Sequence, residues 1–214
     1  MGALKLVVAL LAEAVTRLAP EDMGTRPSSP EAEQVWQHQA GVTRYRVGEL
    51  PEGEIGRREG TVRTHGRTLR APLSGRACVY YLALVEQAGV IQWIERDGVP
   101  FAFEDTSRAI IEPAGASVAL LLDHREPLRA LRAATRRQDA MLARHGYNLP
   151  GGDELVFYEG ILLAGERATV VGAGRREIAS GASRESDFRS PPPTQLRIAG
   201  TDAAQLSIAS HRAR

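Results

Sequence analysis

The sequence is poor in cysteine, in aromatic side chains and in net charge, and each shortage excludes something. Cys78 is the only cysteine, so neither an intramolecular disulfide nor a cysteine-rich zinc module can form, and a reducing compartment is compatible with the chain. The 27 Lys and Arg nearly balance the 26 Asp and Glu, which leaves no global field to attract nucleic acid or acidic lipid. Aromatic residues are only 5% of the chain, which disfavours a base-stacking platform for single strands.

Long apolar runs are also missing. No stretch reaches the roughly 18–20 apolar residues that span a bilayer, and the best candidate, residues 4–12, ends before Glu13. Its apolar residues recur with helical spacing, which predicts an amphipathic helix over residues 1–19 that packs on the domain, a partner or a membrane surface. A signal peptide is the weaker alternative. We therefore expect a cytoplasmic or peripherally membrane-associated protein.

The remaining chain divides by composition. Residues 20–41 begin with three prolines within eleven residues, which predicts a linker followed by a short helix after Pro30. From 42 to 210, short apolar segments alternate with glycine-bearing turns, which predicts one mainly β domain. The segments include 55–62, 77–86 and a hairpin over 101–113 that turns at residues 105–108. Residues 211–214 are a short tail.

One segment departs from this β pattern. Residues 125–144 contain no glycine, Pro127 suits a first helical turn, and His145-Gly146 suits a helix end. We therefore predict one long helix over 125–145, inserted between strands. Strands, a helix and further strands in this order predict a mainly β (α+β) fold, an OB-like β-barrel carrying this helix together with the N-terminal helix. A β-sandwich is the alternative.

The predicted long helix is rich in arginine, and only Glu126 and Asp139 oppose its charge. Its arginines are Arg125, Arg129, Arg132, Arg136, Arg137 and Arg144. A solvated helix face is the commoner explanation for such a pattern. The alternative is a contact surface for acidic lipid, an acidic protein or a nucleic-acid backbone.

Residues of chemically useful types do not form a recognisable constellation in the sequence. Cys78 lies inside a strand pattern, which favours a buried structural thiol. The five histidines are scattered without metal-ligand spacing. The glycines after Val170 resemble part of a dinucleotide-binding fingerprint, but Glu177 occupies the position of the third glycine in that motif. We therefore predict no catalytic residue, no cofactor and no metal.

Four segments together resemble a known family. They are residues 68–81, 101–113, 158–167 and 168–172. This set resembles the GIDE domain, also called BAM, of membrane-anchored ubiquitin ligases and their bacterial relatives, with a match from about 42 to 210. The pattern residues are Pro72, Ser74, Gly75, Cys78, Tyr80, Trp93, Asp105, Glu159, Gly165, Glu166 and Gly172.

The resemblance implies a fold and a role more than an activity. The ligases transfer ubiquitin through a RING finger, which needs eight cysteine or histidine ligands in a fixed order, and one cysteine cannot supply them. The alanine- and arginine-rich composition fits a bacterial, stand-alone relative. We expect a non-catalytic interaction or sensor module that acts near a membrane or on a protein partner. The alternatives are an OB-like domain for nucleic acid or a nucleotide, a ligase-related component without ligase chemistry, and an enzyme with dispersed site residues.

Overall fold

A computed structural model describes residues 28–129, 133–146, 154–178, 194–201 and 204–213. These residues form two short helices, α1 (Ala32–Ala40) and α2 (Arg136–Arg144). The strands are β1 (Ile55–Thr64), β2 (Leu69–Arg70), β3 (Ala77–Cys78), β4 (Tyr80–Gln87), β5 (Val90–Gly98), β6 (Phe101–Glu104), β7 (Arg108–Ile111), β8 (Ser117–Ala119), β9 (His124–Leu128), β10 (Leu155–Leu162), β11 (Arg167–Ile178), β12 (Thr194–Ala199) and β13 (Ser207–Ser210). Single 3-10 turns lie at Val47–Glu49 and His211–Ala213.

Five strands close into a mixed barrel. Antiparallel pairs join β1 to β6, β6 to β7, β12 to β11 and β11 back to β1, and a parallel pair joins β7 to β12. The first half of β11 also pairs with β13, which pairs in turn with β8. The predicted mainly β fold with a barrel is therefore confirmed.

The barrel core follows from the two-residue period of its strands. Along β1, every second residue from Gly56 to Val62 is buried. Phe101 and Phe103 of β6 face the same interior and are fully buried. At Gly60 an added Cβ would lie 2.6 Å from the Glu104 carbonyl oxygen, so only glycine lets β1 approach β6 this closely.

A second sheet, with strand order β5-β4-β10-β9, is built from two insertions into the barrel. One insertion follows β1 and supplies β4 and β5; the other follows β7 and supplies β9 and β10. The residues of β4 alternate between two cores: Leu82 and Leu84 pack into the barrel cluster, whereas Ala83 and Val85 pack into a cluster that includes Met141 of α2. The sheet therefore lies between the barrel core and α2.

The predicted long helix over 125–145 is wrong in its first part. His124–Leu128 is strand β9, paired with β10, and α2 begins only at Arg136. Because β9 is an edge strand, Pro127 fits there without breaking a ladder. The helix starts at a capping box in which Thr135 and Gln138 exchange side-chain to backbone hydrogen bonds. Tertiary pairing thus overrode local helix propensity.

Helix α1 lies where the sequence pattern places a short helix. Ala32 and Val35 pack against Ala119 of β8 and Ala209 of β13. The predicted amphipathic helix over 1–19 lies outside the described residues, and so does the linker as far as residue 27. Neither of the helices described above has the length and hydropathy that crossing a bilayer requires.

Candidate functional site

Many residues of the resemblance pattern meet around the turn over residues 71–76, which precedes β3. Glu159 of β10 is fully buried, and its carboxylate accepts hydrogen bonds from the backbone N–H groups of Leu73 (2.7 Å) and Ser74 (3.2 Å). Pro72 lies beside them in the turn, and Gly75 closes it with a φ of +70°. A buried carboxylate held by two amides fixes the turn in place.

Arg137 of α2 locks the same turn from outside. Its Nη1 donates to the Leu73 carbonyl oxygen at 2.9 Å. The guanidinium lies so close to Gly75 that an added Cβ would be 2.2 Å from Nη2. Arg137, one of the predicted binding arginines, is therefore already bonded to the scaffold.

Cys78 is a buried thiol next to this turn. It is 1% exposed, and its Sγ lies 4.0 Å from the Leu69 carbonyl oxygen. Burial, together with the negative charge of Glu159, raises the pKa of Cys78 to about 11. A thiol in this state is a poor nucleophile at neutral pH, which agrees with the structural role that the sequence predicts.

A chain of ion pairs extends from the turn to Glu166. Asp123 accepts hydrogen bonds from Arg76 (2.8 Å) and from Arg212, and Arg212 also donates to Glu166 at 2.6 Å. Burial works to raise the pKa of Asp123, but these hydrogen bonds hold it below its usual value. The chain ties three loops and the C-terminal 3-10 turn together.

Other pattern residues serve the scaffold at separate places. Gly165 has a φ of +94° in the turn before β11, a conformation that favours glycine. Gly172 gives Ile198 and Leu206 room, because a Cβ there would lie 2.9 and 2.8 Å from their side chains. Tyr80 is 3% exposed within the barrel core.

Trp93 of β5 helps to seat the end of α2. Its ring stacks on His145, with 5.1 Å between centroids. Glu95 lies nearby and accepts hydrogen bonds from Arg144 (3.0 Å), His145 (3.1 Å) and the Tyr81 hydroxyl (3.0 Å). Arg144 is thus part of the contact that docks α2 on the sheet.

The predicted arginine face does not lie on one helix. Arg125 belongs to β9, where its guanidinium lies 5.8 Å from the centre of the Tyr158 ring. Arg129 is largely exposed and lies 3.8 Å from Glu154, and Arg136 is exposed on α2. Arg132 lies outside the described residues. Arg137 and Arg144 are exposed too, but they hold α2 in place, so the described remainder of the predicted set is Arg125, Arg129 and Arg136.

A cleft of about 330 Å³ lies at one end of the barrel. It is lined by Arg44, Tyr45, Arg46, Glu49, Glu59 and Asp105. Asp105, a pattern residue, holds the floor together, because its carboxylate accepts hydrogen bonds from the backbone N–H groups of Val47 (2.9 Å) and Ser107 (2.9 Å). Burial works to raise the pKa of Asp105, and the hydrogen bonds lower it overall. We call this site the barrel-end cleft.

Arg58 lies at the same end of the barrel, and sequence reasoning missed it. Its side chain is fully buried, and neither Nε, Nη1 nor Nη2 has a hydrogen-bond partner in the part of the chain that the structure describes. Burial lowers the pKa of Arg58 to about 10, against the opposing influence of Asp105, so the guanidinium is still charged at neutral pH. The strand period was the available signal, since Arg58 shares its face of β1 with Gly56, Gly60 and Val62.

No group of three or more His, Cys, Asp or Glu side chains suited to a metal occurs in the part of the chain that the structure describes. Comparison of the sequence with models of known protein families gives no match, and a search of curated proteins gives none either.

Proposed function

We propose that the chain is a non-catalytic interaction or sensor module of the GIDE/BAM type, acting near a membrane or on a protein partner. The main support for the proposal is that the pattern residues with reactive side chains have structural roles. Glu159 holds two turn amides, and Cys78 is a buried protonated thiol beside it. Pattern residues that stabilise a turn are typical of a scaffold rather than of a reaction centre.

The scaffold in this proposal is an OB-like barrel. In chain order, the five barrel strands are β1, β6, β7, β11 and β12. Around the barrel the order is β1, β6, β7, β12 and β11, so the fifth strand lies between the third and the fourth. The third and fifth strands form the parallel pair. This order supports the OB-like assignment, and OB-like barrels are binding folds.

The contact surface in this proposal comprises the exposed arginines Arg125, Arg129 and Arg136. Exposed arginines suit an acidic protein segment or the anionic headgroups of a membrane. Because such contacts are exposed, their strength falls as salt rises.

The test measures binding of the full chain to anionic vesicles, neutral vesicles, an acidic polypeptide and oligonucleotides across a salt series. We expect salt-sensitive binding to the anionic vesicles or the acidic polypeptide, lost in the triple variant Arg125→Glu, Arg129→Glu, Arg136→Glu. A matched triple variant of exposed arginines elsewhere, Arg63→Glu, Arg67→Glu and Arg108→Glu, keeps it. Equal losses in the two variants, or no binding to either target, would overturn the proposed surface.

Nucleic-acid binding is the second candidate, and the strand order of the barrel is what favours it. The barrel aromatics Phe101 and Phe103 are fully buried, so bases could not stack on them and contacts would fall on the phosphate backbone. Preferential binding of oligonucleotides in the same assay, with a steep salt dependence, would favour this candidate over the first.

A further inference from the structure

We propose that Arg58 is the anchor of a binding site for a small oxyanion, a phosphate or a carboxylate, that enters through the barrel-end cleft. The proposal goes beyond the interaction module proposed above and does not depend on it. It rests on four observations: an unpartnered guanidinium, its position beneath the cleft, the charge balance around it, and the nature of its cover.

The first observation is the missing partner. All three guanidinium nitrogens of Arg58 are buried, with no acceptor among the residues described above, and a charge buried in this way is among the most costly arrangements in a protein. Buried polar groups are otherwise almost always satisfied, so each exception points to strain or to a ligand. The planar fork of a guanidinium matches the two oxygens of a carboxylate or a phosphate.

The second observation is the position. Tyr45 and Asp105 both influence the pKa of Arg58, and both line the barrel-end cleft. Gly56, on the same face of β1 as Arg58, lies under the Tyr45 ring and Leu50, since an added Cβ would be 2.5 and 2.8 Å from them. The cleft therefore lies just outside the cover of Arg58.

The third observation is the charge balance of the cleft. Glu59 pairs with Arg44 at 3.2 Å, and Glu49 lies 3.9 Å from Arg46. Asp105 is bonded to backbone N–H groups rather than to a cation. These acids already have partners, whereas Arg58 has no hydrogen-bond partner among the described residues and feels Asp105 only through its charge. An entering anion can therefore accept hydrogen bonds that no described group accepts.

The fourth observation is the cover. Arg58 is fully buried, so an anion can reach it only if the segment over residues 43–50 shifts. This segment has one 3-10 turn and one parallel bridge, from Arg44 to Arg57 of β1, and is otherwise irregular. Among its contacts are the Tyr45 hydroxyl to Glu54 at 3.2 Å and the Gly48 carbonyl oxygen to Arg176 at 3.1 Å, both exposed. We expect local opening to move Tyr45 and break these exposed contacts, while Val47 and Leu50, which are buried, stay packed on the barrel.

The experiment is thermal unfolding of the full chain, titrated at constant ionic strength with sodium phosphate, sodium acetate or sodium chloride. We expect a saturable rise in Tm with phosphate or acetate that exceeds the response to chloride. The two oxyanion arms distinguish a phosphate from a carboxylate ligand. The same Tm with all three salts would overturn the proposal.

The decisive variant is Arg58→Met, which keeps the side-chain length and removes the charge. We expect a higher Tm than wild type without oxyanion, and at least about a tenfold loss of oxyanion affinity. The matched control Arg63→Met removes an exposed arginine of the same strand and keeps the response. An oxyanion response that survives in Arg58→Met would overturn the proposal.

A variant of the cover keeps the proposal testable if Arg58→Met does not fold. Tyr45→Ala leaves Arg58 intact and removes the ring above it. We expect tighter oxyanion binding, because less of the binding energy is used to open the cover. Unchanged or weaker binding in Tyr45→Ala would contradict entry through the cleft.

Discussion

Two regions of the molecule bury a charged side chain completely, and they treat it in opposite ways. At the turn over residues 71–76, the carboxylate of Glu159 accepts hydrogen bonds from two backbone amides. At the barrel end, the guanidinium of Arg58 has no hydrogen-bond partner within the described ranges of the chain. Both side chains are 0% exposed, so burial does not separate them. The charge of Glu159 therefore stabilises the fold, whereas the charge of Arg58 is buried at a cost to stability.

The largest effect on stability is expected at Glu159. We expect Glu159→Gln to lower the free energy of unfolding by about 3 kcal/mol, because one of the two oxygens that accept from the Leu73 and Ser74 N–H groups becomes an NH₂ donor in a buried site. Urea denaturation monitored by tryptophan fluorescence measures the change. The exposed Glu154→Gln is the control and should change stability by less than about 0.5 kcal/mol. Similar losses in both variants would mean that Glu159 does not hold the turn.

The opposite sign is expected at Arg58. Arg58→Met should raise the free energy of unfolding by about 2 kcal/mol, because a buried charge without a partner is replaced by an apolar chain of similar length. The same urea denaturation applies. Destabilisation by Arg58→Met would remove the contrast between the two regions.

A smaller effect distinguishes two glycines of equal backbone conformation. Gly75 and Gly115 both have a φ of +70°, but only Gly75 lies against a side chain, that of Arg137. Alanine should cost about 1 kcal/mol at Gly115 from strain, and about 1 kcal/mol more at Gly75 because Arg137 must leave the Leu73 carbonyl. Equal costs in the two variants would show that Arg137 does not lock the turn.

The smallest effect is a pH dependence at the ion-pair chain beside the turn. The pKa of Asp123 is lower in the folded state than its ordinary value of 3.8, so this group contributes stability above about pH 4 that is lost as the pH falls below it. Asp123→Asn should therefore flatten the loss of stability between neutral and acid pH, by about 1 kcal/mol at most. Urea denaturation at a series of pH values measures this slope. An unchanged slope would place the acid sensitivity elsewhere.

The sequence predicted local features better than it predicted pairings. The hairpin over 101–113 with its turn at residues 105–108 is confirmed by β6 and β7. It was predictable because alternating apolar residues around a polar turn are a local sequence signal for a hairpin. The helix over 125–145 failed because β9 is fixed by pairing with β10, a contact that its own residues do not reveal. The capping box at Thr135 and Gln138 was a usable signal for the true helix start.

The candidate site shows the same limit. Glu159 and Cys78 could be singled out from the resemblance, but the bond from Leu73 to Glu159 joins residues 86 positions apart, and no local pattern states it. Arg58 could have been found, since the two-residue period of β1 places it among the buried residues. Its missing partner could not, because that depends on how Tyr45 and Leu50 close the barrel end.

The construction of the second sheet from two insertions has a consequence for synthesis on the ribosome. Strand β10 lies between β4 and β9. The strand that pairs with β4 is therefore synthesised much later than β4 itself. Until then, the amides of the turn have no carboxylate to bind, and one edge of β4 stays open to other strands. We therefore expect the sheet to close late and slowly, as folds dominated by long-range contacts do.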